Sequence, residues 1–477
     1  MAGAPVRANE DTTKLLLLIS WAVMFSCAAF RHGAFQSTAF DLGIFDQALW
    51  KLSHGEGPFS TLMGMNIFSD HGAFILYPLS LLYRAVASPY ALLAVQSLSL
   101  ALGAAPLVAL ARAYGLSAPQ QALCALVYLL HPAVFSASLF DFHPETIGVP
   151  LIPALFLLAL QRRYAAAFVA AAAIMCCKEV LALTVAAIGI CLFLRGQRAF
   201  GLTLAAISIA WFVFVTQALM PGLPGGAPPN AFLRYSFLGE TLPDKLQTIL
   251  FRPDVVMAHS RPFAASCYVA LLFLPCPWVL GRRSAFLLIA LAPTVLLNAF
   301  SSFDLQRSLR LHYSLPAIPV LGLMAIERLR HSVEFPAWLT PRRAVAWCAA
   351  CLAVPLLAQN IRQFGLYPVA WAPRGDPLRF EEAVRAVPDG ARVLASRHMV
   401  PHLSHRAFIH VIDPARHPSQ PAGPAPWADY ECVVVDTTAT EDRGEASASQ
   451  WAKSSLLDSP DFYVAHESPE AVVFRRR

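Results

Sequence analysis

The chain has 477 residues, 57% of them hydrophobic and only 14% charged, with a mean hydropathy of +0.53. Soluble globular chains carry about 25% charged residues, so this deficit excludes an ordinary soluble domain and points to a polytopic membrane protein. The net charge of +6 gives no nucleic-acid signal, and the ten cysteines, mostly inside apolar runs, form neither a disulfide framework nor a zinc spacing.

A spanning helix needs about 20 mainly apolar residues, and about eleven stretches qualify. They lie near 14–30, 90–111, 118–139, 147–160, 164–177, 180–194, 199–219, 263–280, 284–300, 313–328 and 343–360. The first follows Lys14 and reads as a retained anchor rather than a secretory signal, because so many spans follow it. The shorter stretch 73–87 contains Tyr77, Pro78 and Arg84 and reads as a re-entrant or interfacial helix on the outer face. If it does not cross, the basic clusters from Arg7 and Lys14 through Arg112, Arg162, Arg195 and Arg282 to Arg343 all fall inside, as the positive-inside rule requires. The N-terminus is then cytoplasmic and the C-terminus extracytoplasmic.

This topology predicts an all-α polytopic membrane bundle over 1–360, with a first outer loop at 31–89 and a second at 220–262. The tail 361–477 changes character. Short strands at 392–396, 407–412 and 432–436, a helical segment at 380–387 and a closing hairpin over 462–474 predict a small extracytoplasmic α/β domain. It has no glycine-rich phosphate loop, so no nucleotide is assigned to it.

Ionisable residues gather at the outer ends of the spans. Directly after the first span comes Phe40-Asp41-Leu42-Gly43-Ile44-Phe45-Asp46-Gln47-Ala48-Leu49-Trp50. Asp41 and Asp46 are not on one helical face, so the two carboxylates are expected to point differently. The segment reads either as an interfacial helix capped by aspartates or as one carboxylate facing a cavity while the other caps. Asp70 and His71 precede the re-entrant stretch. Asp141, His143 and Glu145 flank Pro144, a pattern open to metal binding or to a plain helix start. Lys178 and Glu179 interrupt two apolar runs, where an ion pair is either a functional site or a surface turn. Asp304, Arg307, Arg310 and His312 precede the tenth span, and paired arginines there suit a lipid phosphate or form an ordinary charged loop.

The runs FDLGIFDQALW, GEGPF, the Asp70-His71 pair, FDFHPE, CCKEV and LRLHYSLPAIP, with RVLASRHMVPHLSHR and ADYECVVVD in the tail, resemble an uncharacterised family of prokaryotic multi-spanning membrane proteins. That family's layout is in turn similar to the GT-C glycosyltransferases. The resemblance implies an inverting enzyme of the bacterial cytoplasmic membrane that takes a sugar from a polyprenyl-phosphate carrier on the outer face. Asp41 or Asp46 would be the base, Asp141 and Glu145 the second acidic loop, and Arg307 and Arg310 the phosphate ligands, joined by His312. The acceptor stays open. No cofactor is assigned, and a divalent metal stays open. Two rival readings remain: a transporter or flippase of a lipid-linked substrate, and a non-catalytic envelope assembly protein.

Overall fold

Long apolar runs without charge fold as helices, because a backbone in hydrocarbon must satisfy its hydrogen bonds internally. The structure, a computed structural model, describes residues 4–224, 230–259, 261–331, 340–357, 373–412, 427–438 and 443–477. Residues 225–229 of the proline- and glycine-rich loop, the end of the last apolar run and the first residues of the tail lie outside these.

Each apolar run carries a helix, but few are straight and long. Among the described residues, four helices are long and apolar enough to cross a membrane: Asp11–Gly33, Pro89–Ala113, Arg198–Leu219 and Asp304–Arg330. The run 118–139 is two helices, Ala118–Leu129 and Pro132–Leu139, bent by 47°. Pro132 opens the second, lacking the N–H that would continue the first. Glu145–Leu160, Tyr164–Cys177, Leu181–Leu194 and Ala285–Phe300 are shorter apolar helices. The stretch 73–87 forms the helix Leu76–Ala85, with Leu76, Leu79 and Tyr83 buried and Tyr77 and Leu81 exposed.

Small residues set the closest helix contacts. Leu181–Leu194 and Arg198–Phe214 pack through Gly189 and Gly201. A Cβ at Gly189 would meet the Gly201 carbonyl at 2.6 Å, and one at Gly201 would strike the backbone of Gly189 and Phe193. In a bilayer, packing rather than burial from water drives such pairs together. Gly201→Val should therefore lower the melting temperature and folded yield in detergent, whereas Leu202→Val on the exposed face should change neither. Equal behaviour of the two variants would show that the close approach is dispensable.

The loop 31–89 contains the helix Ile44–Ser53 and a two-stranded ribbon of β1 (Phe59–Ser60) and β2 (Met65–Asn66). The tail forms a five-stranded sheet from β3 (Val393–Ala395), β4 (Ile409–Val411), β5 (Cys432–Asp436), β6 (Phe462–Glu467) and β7 (Ala471–Arg476), in the order β4-β3-β5-β7-β6. β3 runs parallel to β4 and β5, with Leu394 opposite Val433, while β7 is antiparallel to both β5 and β6. β3 and β5 are buried throughout, because Phe380 of helix Pro377–Arg385 covers one face and Ala448, Ala452 and Leu456 cover the other. One continuous core joins Phe35, Leu42, Phe45 and Leu49 of the first loop to Met399, Val400, Leu403 and Ile409 of the tail. The sheet is thus seated on the loop that carries Asp41.

Candidate active site

The backbone turns sharply where the first long helix gives way to the loop. Asp41 has φ 88°, a left-handed conformation that a non-glycine residue adopts at a cost of about 1–3 kcal/mol. Contacts on both sides hold it there. Arg31 Nη1 donates to Asp141 Oδ1 at 2.5 Å, and Thr38 donates to Asp141 Oδ2 through its N at 2.9 Å and its Oγ1 at 3.1 Å. Arg31 Nη2 also donates to the Gln36 carbonyl at 2.7 Å. From the tail, the Arg397 carbonyl accepts the Ala39 N–H at 3.0 Å. Asp141 is fully buried in these contacts and does not line the cavity described next.

Asp41 opens onto a cavity of about 540 Å³. Its polar lining consists largely of Asp41, Asp70, His71, His143, Glu145, Lys178, Glu179, Arg234 and His312. Its apolar lining includes Leu181, Leu183, Phe212 and Leu297. Helix Leu242–Phe251 closes one side. Leu242, Lys245, Leu246 and Ile249 line the cavity at the spacing of one helical face. Leu250 and Phe251 at the end of that helix are 69% and 73% exposed, as expected of side chains turned to lipid or headgroups.

His143 Nε2 lies 3.1 Å from Asp41 Oδ1, and its Nδ1 lies 2.7 Å from the Asp141 carbonyl. A carbonyl only accepts, so Nδ1 carries a proton. An ionised Asp41 also only accepts, so Nε2 carries one too, and the ring is an imidazolium. Burial opposes that charge, but Asp41 outweighs it and holds His143 above its ordinary value. Burial likewise disfavours the Asp41 carboxylate, yet the charge and hydrogen bond of His143 leave its pKa lowered. Asp41 Oδ2 has no hydrogen-bond partner among the described residues, and the side chain keeps 30% exposure, enough for a ligand to reach it. The His312 ring stacks on His143 with centroids 3.6 Å apart, and Glu145 Oε1 accepts from Lys178 Nζ at 2.8 Å. On the facing wall Asp70 and His71 pair at 2.8 Å, and Glu179 Oε2 accepts the Gly72 N–H at 3.0 Å.

Three sequence expectations fall elsewhere. Asp46 does not line the cavity. It is fully buried against Tyr83, Ser404 and His405, at the seam between loop and tail. Arg307 is also turned away, its guanidinium committed to the Ala299 and Ser301 carbonyls and to Asp304. Arg310 is absent from the cavity lining, and its carbonyl accepts from Ser136 Oγ at 2.8 Å. The helical turn Asp304–Arg307 ends at Arg307 and Ser308 is extended, so the two arginines do not project from one helical face. The arginine that does line the cavity is Arg234, in the loop 220–262. It donates to Gln306 Oε1 at 3.0 Å and lies over the rings of Phe303 and Tyr313. An isolated arginine after a proline- and glycine-rich stretch gave little local signal. Among the described residues no three His, Cys, Asp or Glu side chains gather as a metal-binding group.

The fold is shared with ArnT from Cupriavidus metallidurans, solved in the apo state. The likeness has a TM-score of 0.53 at 13% identity and covers 98% of each chain. No curated protein matches the sequence. A sequence profile described as "Predicted membrane protein (DUF2079)" matches residues 31–458, from the end of the first long helix to the last helix of the tail domain, and the chain belongs to that family.

Proposed function

We propose that this membrane protein is a GT-C-type inverting glycosyltransferase that draws its sugar from a polyprenyl-phosphate carrier at the outer face of the cytoplasmic membrane. The observation that carries the reading is a carboxylate held in a strained backbone in a cavity lined by both ionisable and apolar side chains. That shape suits a ligand with a phosphorylated polar head and a hydrocarbon tail. The fold shared with ArnT supports it.

In this reading the acceptor hydroxyl gives its proton to Asp41 Oδ2 while its oxygen attacks the anomeric carbon. The bond from that carbon to the phosphate oxygen breaks on the opposite side, inverting the configuration. The phosphate departs with the electron pair, toward Arg234 and Lys178. His143 orients Asp41. With the expected topology, eleven spans, the N-terminus inside and residues 361–477 as a separate outer domain, this cavity would open beside the outer leaflet. A flippase would share the lipid-shaped cavity but has no need of a strained base.

The purified full chain, titrated with undecaprenyl phosphate, should bind it saturably. Arg234→Ala should weaken that binding about ten- to hundredfold, the usual cost of losing a hydrogen bond to a charged group. No saturable binding by the unaltered protein would discard the carrier and favour the assembly-protein reading.

A further inference from the structure

One wall of the cavity takes no part in that chemistry. Glu179 sits where the chain breaks between helices Tyr164–Cys177 and Leu181–Leu194, and it is completely buried. Its Oε2 accepts the Gly72 N–H at 3.0 Å, while its Oε1 has no partner among the described residues. Both residues belong to a tightly closed seam. The Ile75 N–H reaches the Cys176 carbonyl at 2.9 Å, and a Cβ at Gly72 would meet Glu179 Cβ at 3.1 Å and Val215 at 3.2 Å. The seam holds the Glu179 carboxylate against the cavity, where Asp70 and His71 flank it.

A buried carboxylate oxygen without a donor is costly, and a site that retains one is built for a donor that arrives with the ligand. Phosphate cannot be that donor, because a carboxylate repels it. The phosphate-seeking cations Arg234 and Lys178 also line this cavity, so a single ligand can present an anion to them and hydroxyl donors to Glu179. We infer that Glu179, with Asp70 and His71 beside it, forms the subsite for hydroxyl groups of the sugar being transferred and sets which sugar is accepted. This rests on the glycosyltransferase reading and deepens it.

The test compares undecaprenyl phosphate with undecaprenyl phosphate carrying glucose, galactose or arabinose, each titrated into the full-length protein and into Glu179→Gln and Asp70→Asn variants. In the unaltered protein at least one glycosylated lipid should bind about ten- to hundredfold tighter than the bare lipid. Glu179→Gln keeps the size of the side chain and an acceptor for Gly72. It should erase most of that gain and leave the bare lipid's affinity within about threefold. Asp70→Asn should reduce the gain in the same direction, which provides a reading if Glu179→Gln fails to accumulate. Equal weakening of bare and glycosylated lipids would make Glu179 a structural residue and overturn the subsite. A glycosylation gain that both variants retain would overturn it as well, with the glycosyltransferase reading intact. Absence of binding by even the bare lipid would remove that reading and the subsite together.

Discussion

Asp41→Asn should abolish sugar transfer while the protein inserts and accumulates normally. The exchange preserves size, and the amide oxygen can still face His143, but Oδ2 can no longer take a proton. Removal of a general base typically costs about 10²–10⁴ in rate. The measurement uses membranes from cells lacking the chromosomal copy, supplied with radiolabelled undecaprenyl-phosphate sugars, and follows the release of label from the lipid. Binding of undecaprenyl phosphate should be little changed, because the base acts on the acceptor and its contribution is made in the transition state. A fall in the catalytic rate with intact binding separates this role from a structural one. Full transfer by Asp41→Asn would end the catalytic reading and return the choice to a flippase or an assembly protein.

The second large effect is expected at Asp46, through stability rather than chemistry. Asp46 is fully buried, and its carboxylate gathers the Tyr83 hydroxyl, the Ser404 hydroxyl and His405 Nε2. Asp46→Ala leaves those groups without their common partner at the seam. Breaking a buried pair from one side costs about 3–5 kcal/mol. The variant should melt earlier in detergent, and the backbone amides of β4 should exchange with solvent faster than those of β6, which lies at the far edge of the sheet. Uniform exchange across the sheet would mean that the seam does not depend on Asp46.

The same contact gives a pH dependence with a definite sign. Burial and Arg406 work against a charged His405, but its hydrogen bond and attraction to Asp46 prevail and raise its pKa. A raised folded-state value stabilises most below the unfolded imidazole value of about 6.5, and that contribution disappears as pH rises through the folded-state value. The stability gap between the unaltered protein and His405→Gln should therefore be widest in mildly acidic buffer and narrow as the buffer becomes alkaline. A gap that widens with pH would show that His405 acts as a neutral hydrogen-bond donor only.

The sequence carried the elements well and their facing less well. Hydrophobic runs located the helices, and short apolar segments in the tail located β3, β4, β5, β6 and β7 to within a few residues, because each signal is local. The aspartates of the first loop were expected to diverge, and they do: Asp41 faces the cavity and Asp46 faces the tail. Which aspartate takes which direction depends on residues a hundred or more positions away, Asp141 for one and Ser404 for the other, so no local pattern could decide it. Arg307 and Arg310 suit a phosphate clamp by their spacing, but the chain leaves its helical turn at Ser308, between them, and they do not share a face. Arg234 becomes visible only when the second outer loop is folded over the cavity. Pro132 and the Gly189–Gly201 contact divide or tighten helices in ways that hydropathy, an average over a window, does not register.

The seating of the sheet on the first loop has a consequence for how the protein matures. The partners that fix the loop around Asp41 include Arg397, Ser404 and Ile409, and Asp46 lies 358 residues before Ser404. At ordinary translation speeds that interval is roughly 20–70 s. For that time Asp41 stands in a loop without the tail residues that brace it. On the glycosyltransferase reading proposed above, an immature chain is therefore inert toward the lipids it meets. A premature stop codon late in the reading frame, past every helix of the bundle, should behave as a complete loss of function.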